Sequence, residues 1–544
     1  MTSSYDPNAT SGPHQSDTMP DSHFKKGTYK DESDLTLHDS EVGSSKAPAD
    51  NMLVVLGYQS ELARTRSTLQ VAFMSFVLSS IPFGLSTTFS YPLVGGGPAA
   101  IIWGWVGVSL IIVCVAVSLG EITSVYPTAG GVYYQAYMLS PPGCRKLLAW
   151  ICGWSYTLGN VIITLAVNFG LALFIGGCVN IFKDSEGNNV FAAEPYQIFL
   201  IFLAITLLCN AVSSLGNKWL PILDTFAIFW TFAGVLAIIV CVLAIAKEGR
   251  NSSRYVWGGF VNDSGWTDGW AFCVGLLQAA YATSATGMVI SMCEEVKQPS
   301  TQVPKALVGT VLLNLVAGVV FLVPLVYVLP DIAALLADPS GQPVPAILAS
   351  AVGSKGGAFA LTIPLIVLGI ICGIGCTTAA SRCTWAFSRD GAIPGSHLWK
   401  QVNPTLGVPL NAMMLSMIVQ IALGCIYFGS AAAYNAFSGV GVIFLTVSYA
   451  IPIFASMLNN RKQLVGAPFH MGAFGAFCNW ISIGWSLLAV PLFCMPSAIP
   501  VTLNSMNYAS AVYAGFMLIV MVWYYAWGRK NYQGPPQEDH EILQ

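Results

Sequence analysis

The chain has 544 residues, with 23 Lys plus Arg against 26 Asp plus Glu and a formal net charge of −3. Only 9% of residues are charged, against roughly 25% in an ordinary soluble domain, and 55% are hydrophobic. That balance excludes a basic nucleic-acid-binding face and argues against a soluble core.

Residues 1–55 are rich in Ser, Asp, Thr, Lys and Pro, which predicts a disordered tail with no cleavable signal peptide. A polar lead-in ends at Arg66. There is no formal charge from Ser67 to Gly120, nor from Gln463 to Gly528. A helix needs about 20 apolar residues to cross a bilayer, so each run holds two crossings and a turn. Applied along the chain, the pattern predicts twelve spans near 69–93, 98–120, 147–175, 196–216, 220–246, 270–293, 306–329, 359–386, 409–428, 434–457, 474–495 and 508–528. The expected architecture is an all-α polytopic membrane protein, with a transporter domain at 56–530 and a tail at 531–544.

Basic residues near helix ends stay cytoplasmic. With both termini inside, 18 of the 23 Lys and Arg fall on the inner side, so that orientation is expected. The loop at about 247–269 then faces outward, and Asn251-Ser252-Ser253 and Asn262-Asp263-Ser264 are glycosylation acceptors if it meets the secretory lumen. All six His lie in tails or predicted loops, and the 14 Cys form no CxxC pair. Cys372 and Cys376, one helical turn apart without a His or carboxylate, read as packing residues. Neither metal nor cofactor is expected.

Two spans are not plain hydrocarbon. Span 1 reads Ser79-Ser80-Ile81-Pro82-Phe83-Gly84-Leu85-Ser86-Thr87-Thr88, and Pro82 cannot donate to the residue one turn back. Free backbone groups at membrane depth are tolerated only inside protein or along a cavity. The alternative is a proline kink whose hydroxyls bond their own helix. Span 6 repeats the theme in Tyr281-Ala282-Thr283-Ser284-Ala285-Thr286-Gly287. Interruptions five spans apart point to a binding site between inverted repeats.

The stretch Gly120-Glu121-Ile122-Thr123-Ser124-Val125-Tyr126-Pro127-Thr128-Ala129-Gly130-Gly131 resembles the signature that follows span 2 in amino acid/polyamine/organocation permeases. Glu294-Glu295-Val296-Lys297-Gln298-Pro299 after span 6, and Ser388-Arg389-Asp390-Gly391-Ala392-Ile393-Pro394 after span 8, are similar to that family's loops. Phe83-Gly84-Leu85-Ser86-Thr87, Gln401-Val402-Asn403-Pro404, Pro500-Val501-Thr502 and Met506-Asn507-Tyr508 most resemble the fungal amino acid/choline transporter branch. The resemblance implies an inverted 5+5 fold with two peripheral helices, and secondary transport by alternating access.

Carried over residue by residue, the resemblance puts Ser79, Ser80, Phe83 and Gly84 at the span 1 break and Tyr281 before the span 6 break. Ser284, Ala285 and Thr286 follow in the unwound stretch, with Asn160 offered by span 3 and Cys376 by span 8. Tyr434 to Ser438 would line the outer vestibule. Exposed amides at the breaks suit a carboxylate and freed carbonyls suit an ammonium group, while aromatic faces attract a cation.

Intramembrane acids are functional candidates by default. Asp224 is either a proton carrier or cation attractor, or an acid that snorkels to the interface; Glu121 closes span 2. Arg66 and Glu294 are candidates for a latch across the inner face, against the plainer reading of solvated loop charge. With no acid near the midplane, dibasic substrates are disfavoured.

The expected activity is proton-driven import of a small amine or amino acid such as choline or 4-aminobutyrate, with the lipid bilayer and a coupling proton as partners. Alternatives are transport, including export, of a specialised metabolite such as an alkaloid or its amino-acid precursor, and a non-transporting nutrient receptor. No nucleophile–base pair suggests an enzyme. The plasma membrane is the expected location, with the vacuolar membrane as alternative.

Overall fold

The computed structural model of the chain describes residues 53–536 apart from 60, 63, 65, 184–188, 247–249, 339, 430 and 502–505; the side chains of 68 and 431–435 also fall outside the description. The expected tails outside 53–55 and 531–536, Thr502, and the Tyr434 and Asn435 side chains therefore lie outside the described residues, while 53–55 are helical, with Leu53 buried, in place of the expected disordered tail.

Regular structure among the described residues is helical, and extended pairing is confined to isolated bridges such as Arg66 with Val296. Twelve helices are long and apolar enough to cross a membrane. They are span 1 (Leu69–Val94), span 2 (Gly97–Val125), span 3 (Arg145–Val179), span 4 (Pro195–Leu215), span 5 (Asn217–Ile245) and span 6 (Asp268–Glu295). Span 7 (Pro299–Tyr327), span 8 (Lys355–Arg389), span 9 (Leu410–Phe428), span 10 (Ala436–Leu458), span 11 (Gly472–Leu492) and span 12 (Ala509–Asn531) complete the set. The protein is a multi-pass membrane protein.

Each span falls where hydropathy puts it. Span 7 shifts most, starting at Pro299 because proline's fixed φ suits a first helical position even when Ser300–Lys305 is polar. Five short α-helices in the connections escape a hydropathy reading: Gly131–Leu139, Ser253–Gly258, Ile332–Leu336, Pro343–Val352 and Ser396–Trp399.

Burial sorts the bundle. The most apolar windows of spans 6, 3 and 1 are 89%, 83% and 78% buried, while those of spans 12 and 5 are 17% and 22% buried. Spans 1, 3 and 6 form the centre, and spans 5 and 12 leave apolar faces for lipid. Spans 6 and 1 are also among the least hydrophobic, with mean hydropathy 1.4 and 1.5, because a buried position can satisfy a hydroxyl that lipid cannot.

Span 1 is three pieces, Thr68–Ser79, Ile81–Thr87 and Ser90–Val94. Ser80 joins the first two in a left-handed conformation with φ 35°, which costs energy for a non-glycine residue. Pro82 has no N–H for the Leu78 carbonyl one turn back. The Cys372 thiol of span 8 donates to it at 3.5 Å. Span 6 is helical through Asp268–Gly275 and Leu277–Ser284, then tightens into an eleven-residue 3₁₀ stretch, Ala285–Glu295. Runs of 3₁₀ helix beyond three or four residues are uncommon and mark hinges. Both sequence anomalies are therefore real interruptions.

Candidate functional site

The irregular stretch of span 6 is held by its neighbours. The Tyr449 hydroxyl of span 10 donates to the Ser284 carbonyl at 3.1 Å, and the Tyr156 hydroxyl of span 3 donates to the Gly287 carbonyl at 3.0 Å. A Cβ on Gly287 would lie 2.5 Å from the Tyr449 ring, so glycine is what admits this tyrosine. Sequence reasoning did not find either tyrosine, because each sits mid-span on a helix with no local anomaly. The two interrupted spans touch one another: Gln278 Nε2 donates to the Leu85 carbonyl at 2.9 Å, and a Cβ on Gly84 would meet that of Ala282 at 3.4 Å.

Hydroxyls at the breaks mostly bond their own helix. Ser79 reaches the Ser75 carbonyl at 3.4 Å, Ser284 that of Tyr281 at 2.8 Å, and Thr286 that of Thr283 at 2.7 Å. The kink alternative thus describes the hydroxyls correctly, while the backbone is broken as well.

A cavity of about 390 Å³ lies at the C-terminal end of span 1 and the N-terminal half of span 6. Tyr281 is on its wall, with Thr87, Tyr91, Ser438 and Phe493. No Asp, Glu, Lys, Arg or His is among its described lining residues. The structure places the other expected binding residues elsewhere. Phe83 is buried edge-on against Phe174 with centroids 6.3 Å apart, and Asn160 donates to the Tyr156 carbonyl at 2.7 Å. Cys376 packs 4.0 Å from the Cys372 sulfur. Ser80, Gly84 and Ala285 are buried near the breaks, and Ser284 and Thr286 face a separate void of about 20 Å³. On the span 1 side the cavity therefore begins at Thr87, about two turns beyond Ser80, and takes its hydroxyls there from Thr87, Thr88, Ser90 and Tyr91.

The opposite ends of spans 1 and 6 carry the charge. Arg66 Nη1 meets Asp224 at 2.8 Å, Arg66 Nε meets Glu295 at 3.4 Å, and Arg382 Nε meets Glu295 at 2.8 Å. All four are buried. Glu294 instead takes Arg389 through both oxygens, at 2.9 and 3.1 Å, and accepts the Ala129 N–H at 3.0 Å. The expected Arg66–Glu294 pair is replaced by Arg66–Glu295, because adjacent helical residues point about 100° or more apart. Neither acid is solvated loop charge, and Asp224 is held by Arg66 instead of snorkelling.

The lead-in crosses this end as a strap. Leu53, Leu56, Tyr58 and Leu62 are buried, and the Arg66 N–H and carbonyl bond the Glu295 carbonyl and the Lys297 N–H. Gly57 turns the strap with φ 84° against Pro536. Tyr58 donates to both oxygens of Asp390, at 3.0 and 2.9 Å, and Tyr133 from helix Gly131–Leu139 donates at 2.8 Å. Arg389 sits 3.9 Å over the Tyr58 ring, and Glu294, Tyr134 and Tyr532 are further charged and titratable groups around Asp390. Burial pushes the Asp390 carboxyl up to about 6, against the opposing pull of Arg389 and of the two tyrosine hydroxyls.

Glu121 is also a paired structural acid. It accepts from Arg461 and from the Met471 N–H at 2.7 Å, with His470 Nδ1 3.4 Å away. At the other end, Asn251 Nδ2 donates to the Val326 and Leu329 carbonyls at 3.1 and 2.9 Å, and Asn262 Nδ2 donates to the Trp266 carbonyl at 2.7 Å. Both sequon amides are thus engaged in loop structure.

Residues 67–522 match the amino acid permease family profile, which is most of the chain and takes in spans 1 to 11 and the larger part of span 12. The chain belongs to that family. It is a transporter, not an enzyme, of the amino acid/polyamine/organocation superfamily. The permease is 30% identical over 516 residues to a choline transporter of Saccharomyces cerevisiae, covering 94% of this chain and 90% of that one. It is 31% identical over 508 residues to the amino-acid permease BAT1 homolog of Oryza sativa subsp. japonica, covering 91% and 97%. It is also 30% identical over 472 residues to the polyamine transporter TPO5 of S. cerevisiae, covering 85% and 75%.

Two outcomes follow for the charged end of the permease. Arg66→Asp leaves the introduced carboxylate, Asp224 and Glu295 with Arg382 as the one remaining cation of the set, and should destabilise this end by about 3–5 kcal/mol, the range for breaking a buried pair. Adding Asp224→Arg should restore thermal stability in detergent, whereas Arg66→Glu with Glu294→Arg should not. For Asp390, the closed end, with the strap docked, binds the proton more tightly than an opened end in which the carboxyl is solvated and returns to its ordinary value. This contribution to docking is full below the ordinary carboxylate range and is lost as pH rises through about 6. Hydrogen exchange of the 53–59 amides, corrected for intrinsic rates, should show the strap more protected at about pH 5 than at about pH 7.5. Asp390→Asn should remove that difference.

Proposed function

We propose that the permease imports a small amine or amino acid, with choline and 4-aminobutyrate as leading substrates, by alternating access across the plasma membrane with both termini in the cytoplasm. The observation that carries this reading is a vestibule whose described lining has no formal charge and reaches Tyr281 beside two interrupted spans. A polycation would demand carboxylates there. A zwitterion or a quaternary ammonium is served by ring faces, hydroxyls and the carbonyls near the breaks. The name of the S. cerevisiae choline transporter agrees with this chemistry.

Interruptions in spans 1 and 6 support an inverted pair of five-span repeats with spans 11 and 12 outside it. The excess of Lys and Arg on the strap side supports a cytoplasmic strap. The vestibule then faces outward, and opening the other end requires Arg66 to leave Asp224 and Glu295. Separation would leave a buried acid that favours a proton, which is how coupling to a proton gradient would enter.

Labelled choline and 4-aminobutyrate should accumulate, in an uncoupler-sensitive way, in cells lacking their own permeases. Tyr281→Ala should raise the KM for the accumulated compound about 2- to 30-fold, matching a cation–ring contact of about 0.5–2 kcal/mol. Tyr281→Phe should keep most of it. Uptake of neither compound by protein that reaches the membrane would overturn both substrates, and binding without accumulation would support a receptor instead.

A further inference from the structure

The connection between spans 11 and 12 is not idle periphery. Leu492, Phe493, Met495, Ser497, Met506 and Asn507 all line the vestibule, facing the side formed by spans 1 and 6. Its shape is set from within. Asn507 Nδ2 donates to the Phe493 and Met495 carbonyls, both at 2.8 Å, and its Oδ1 accepts the Ala509 N–H at 3.0 Å.

The same connection is tied to span 6 and its lead-in. Trp270, in the first piece of span 6, donates its Nε1–H to Met495 Sδ at 3.1 Å. Trp266 donates to the Pro496 carbonyl at 3.1 Å, and the Ile499 N–H donates to the Ser264 carbonyl at 2.7 Å. Gly265 has φ 74°, and a Cβ there would lie 2.3 Å from the Ile499 carbonyl oxygen, so the two segments are in backbone contact. Trp270 and Tyr281 belong to the same half of span 6. A motion that swings Tyr281 across the vestibule therefore pulls on Met495.

We propose that residues 492–501, together with Met506 and Asn507, form a moving selectivity wall of the vestibule, tethered by Trp266 and Trp270 so that it closes with the first half of span 6. This rests on the alternating-access reading above. The wall presents Phe493 and the adaptable thioethers of Met495 and Met506, with Ser497 and Asn507 as neutral polar groups. Such a surface takes the methyl groups of a quaternary ammonium or the methylenes of an ω-amino acid, and offers nothing to a polyamine.

The test needs no transported substrate. Ser90→Cys reports the span 1 side of the vestibule and Ser497→Cys the wall, each labelled on cells with a membrane-impermeant methanethiosulfonate and corrected for the parent chain. Arg66→Ala, which loosens the opposite end, should slow labelling at both positions. With Trp266→Phe and Trp270→Phe added, Ser90→Cys should still slow while Ser497→Cys should not. Labelling of Ser90→Cys at the parental rate with the two tryptophan changes alone shows that they leave the fold intact. If Ser497→Cys labelling ignores Arg66→Ala while Ser90→Cys responds, the wall is static and the proposal is wrong. If both positions ignore Arg66→Ala, alternating access itself fails and the moving wall falls with it. If Ser497→Cys still follows after the tether is removed, the two tryptophans are not the coupling.

Discussion

A backbone carbonyl buried in a membrane protein must find a donor, and the interruptions in spans 1 and 6 create several that ordinary helix geometry would have satisfied. The structure answers with side chains from three other spans. Cys372 takes the Leu78 carbonyl released by Pro82, Tyr449 takes Ser284, and Tyr156 takes Gly287. Each hydrogen bond is worth only about 1 kcal/mol net, but an unmet buried carbonyl costs more than that. The interruptions are thus held, not floppy, and the same small energies allow the bonds to be exchanged during movement. The vestibule, the contact between the two broken spans and the reach of Tyr281 depend on this arrangement.

The two ends of the broken spans differ in kind. One end faces a neutral vestibule edged by hydroxyls and aromatic rings. The other is closed by Arg66, Asp224, Glu295 and Arg382, a buried set of two positive and two negative charges. Such networks add little net stability over apolar packing, yet breaking one partner is expensive. That asymmetry suits a closure that must be all or none. The strap adds a second, titratable layer at the same end, where Tyr58 donates to Asp390.

Much of this was legible in the sequence because hydropathy reads thickness well: all twelve spans and both interruptions could be placed from Pro82, Gly84 and the hydroxyl runs. The partners were not legible. Glu294 and Glu295 look equivalent in a chain, but successive helical positions face different neighbours, so Arg66 meets one and Arg389 the other. Tyr156 and Tyr449 sit in regular helices, where nothing local distinguishes a donor to a distant carbonyl from a packing ring. The candidates at the span 1 break lie about one turn or more from the cavity, with Phe83 and Gly84 spent on packing, and Asn160 of span 3 is spent on a local hydrogen bond. Tyr281 alone among the ten reaches it.

Hydrogen–deuterium exchange along span 6, on protein reconstituted in lipid, tests the central claim most directly. If side-chain donors from spans 3 and 10 hold the irregular stretch, the 285–295 amides should exchange faster than those of 277–284. Replacing Tyr156 and Tyr449 by Phe should accelerate them further while leaving span 8 unchanged. Exchange that is uniform along span 6, or unaffected by loss of the two hydroxyls, would contradict the account.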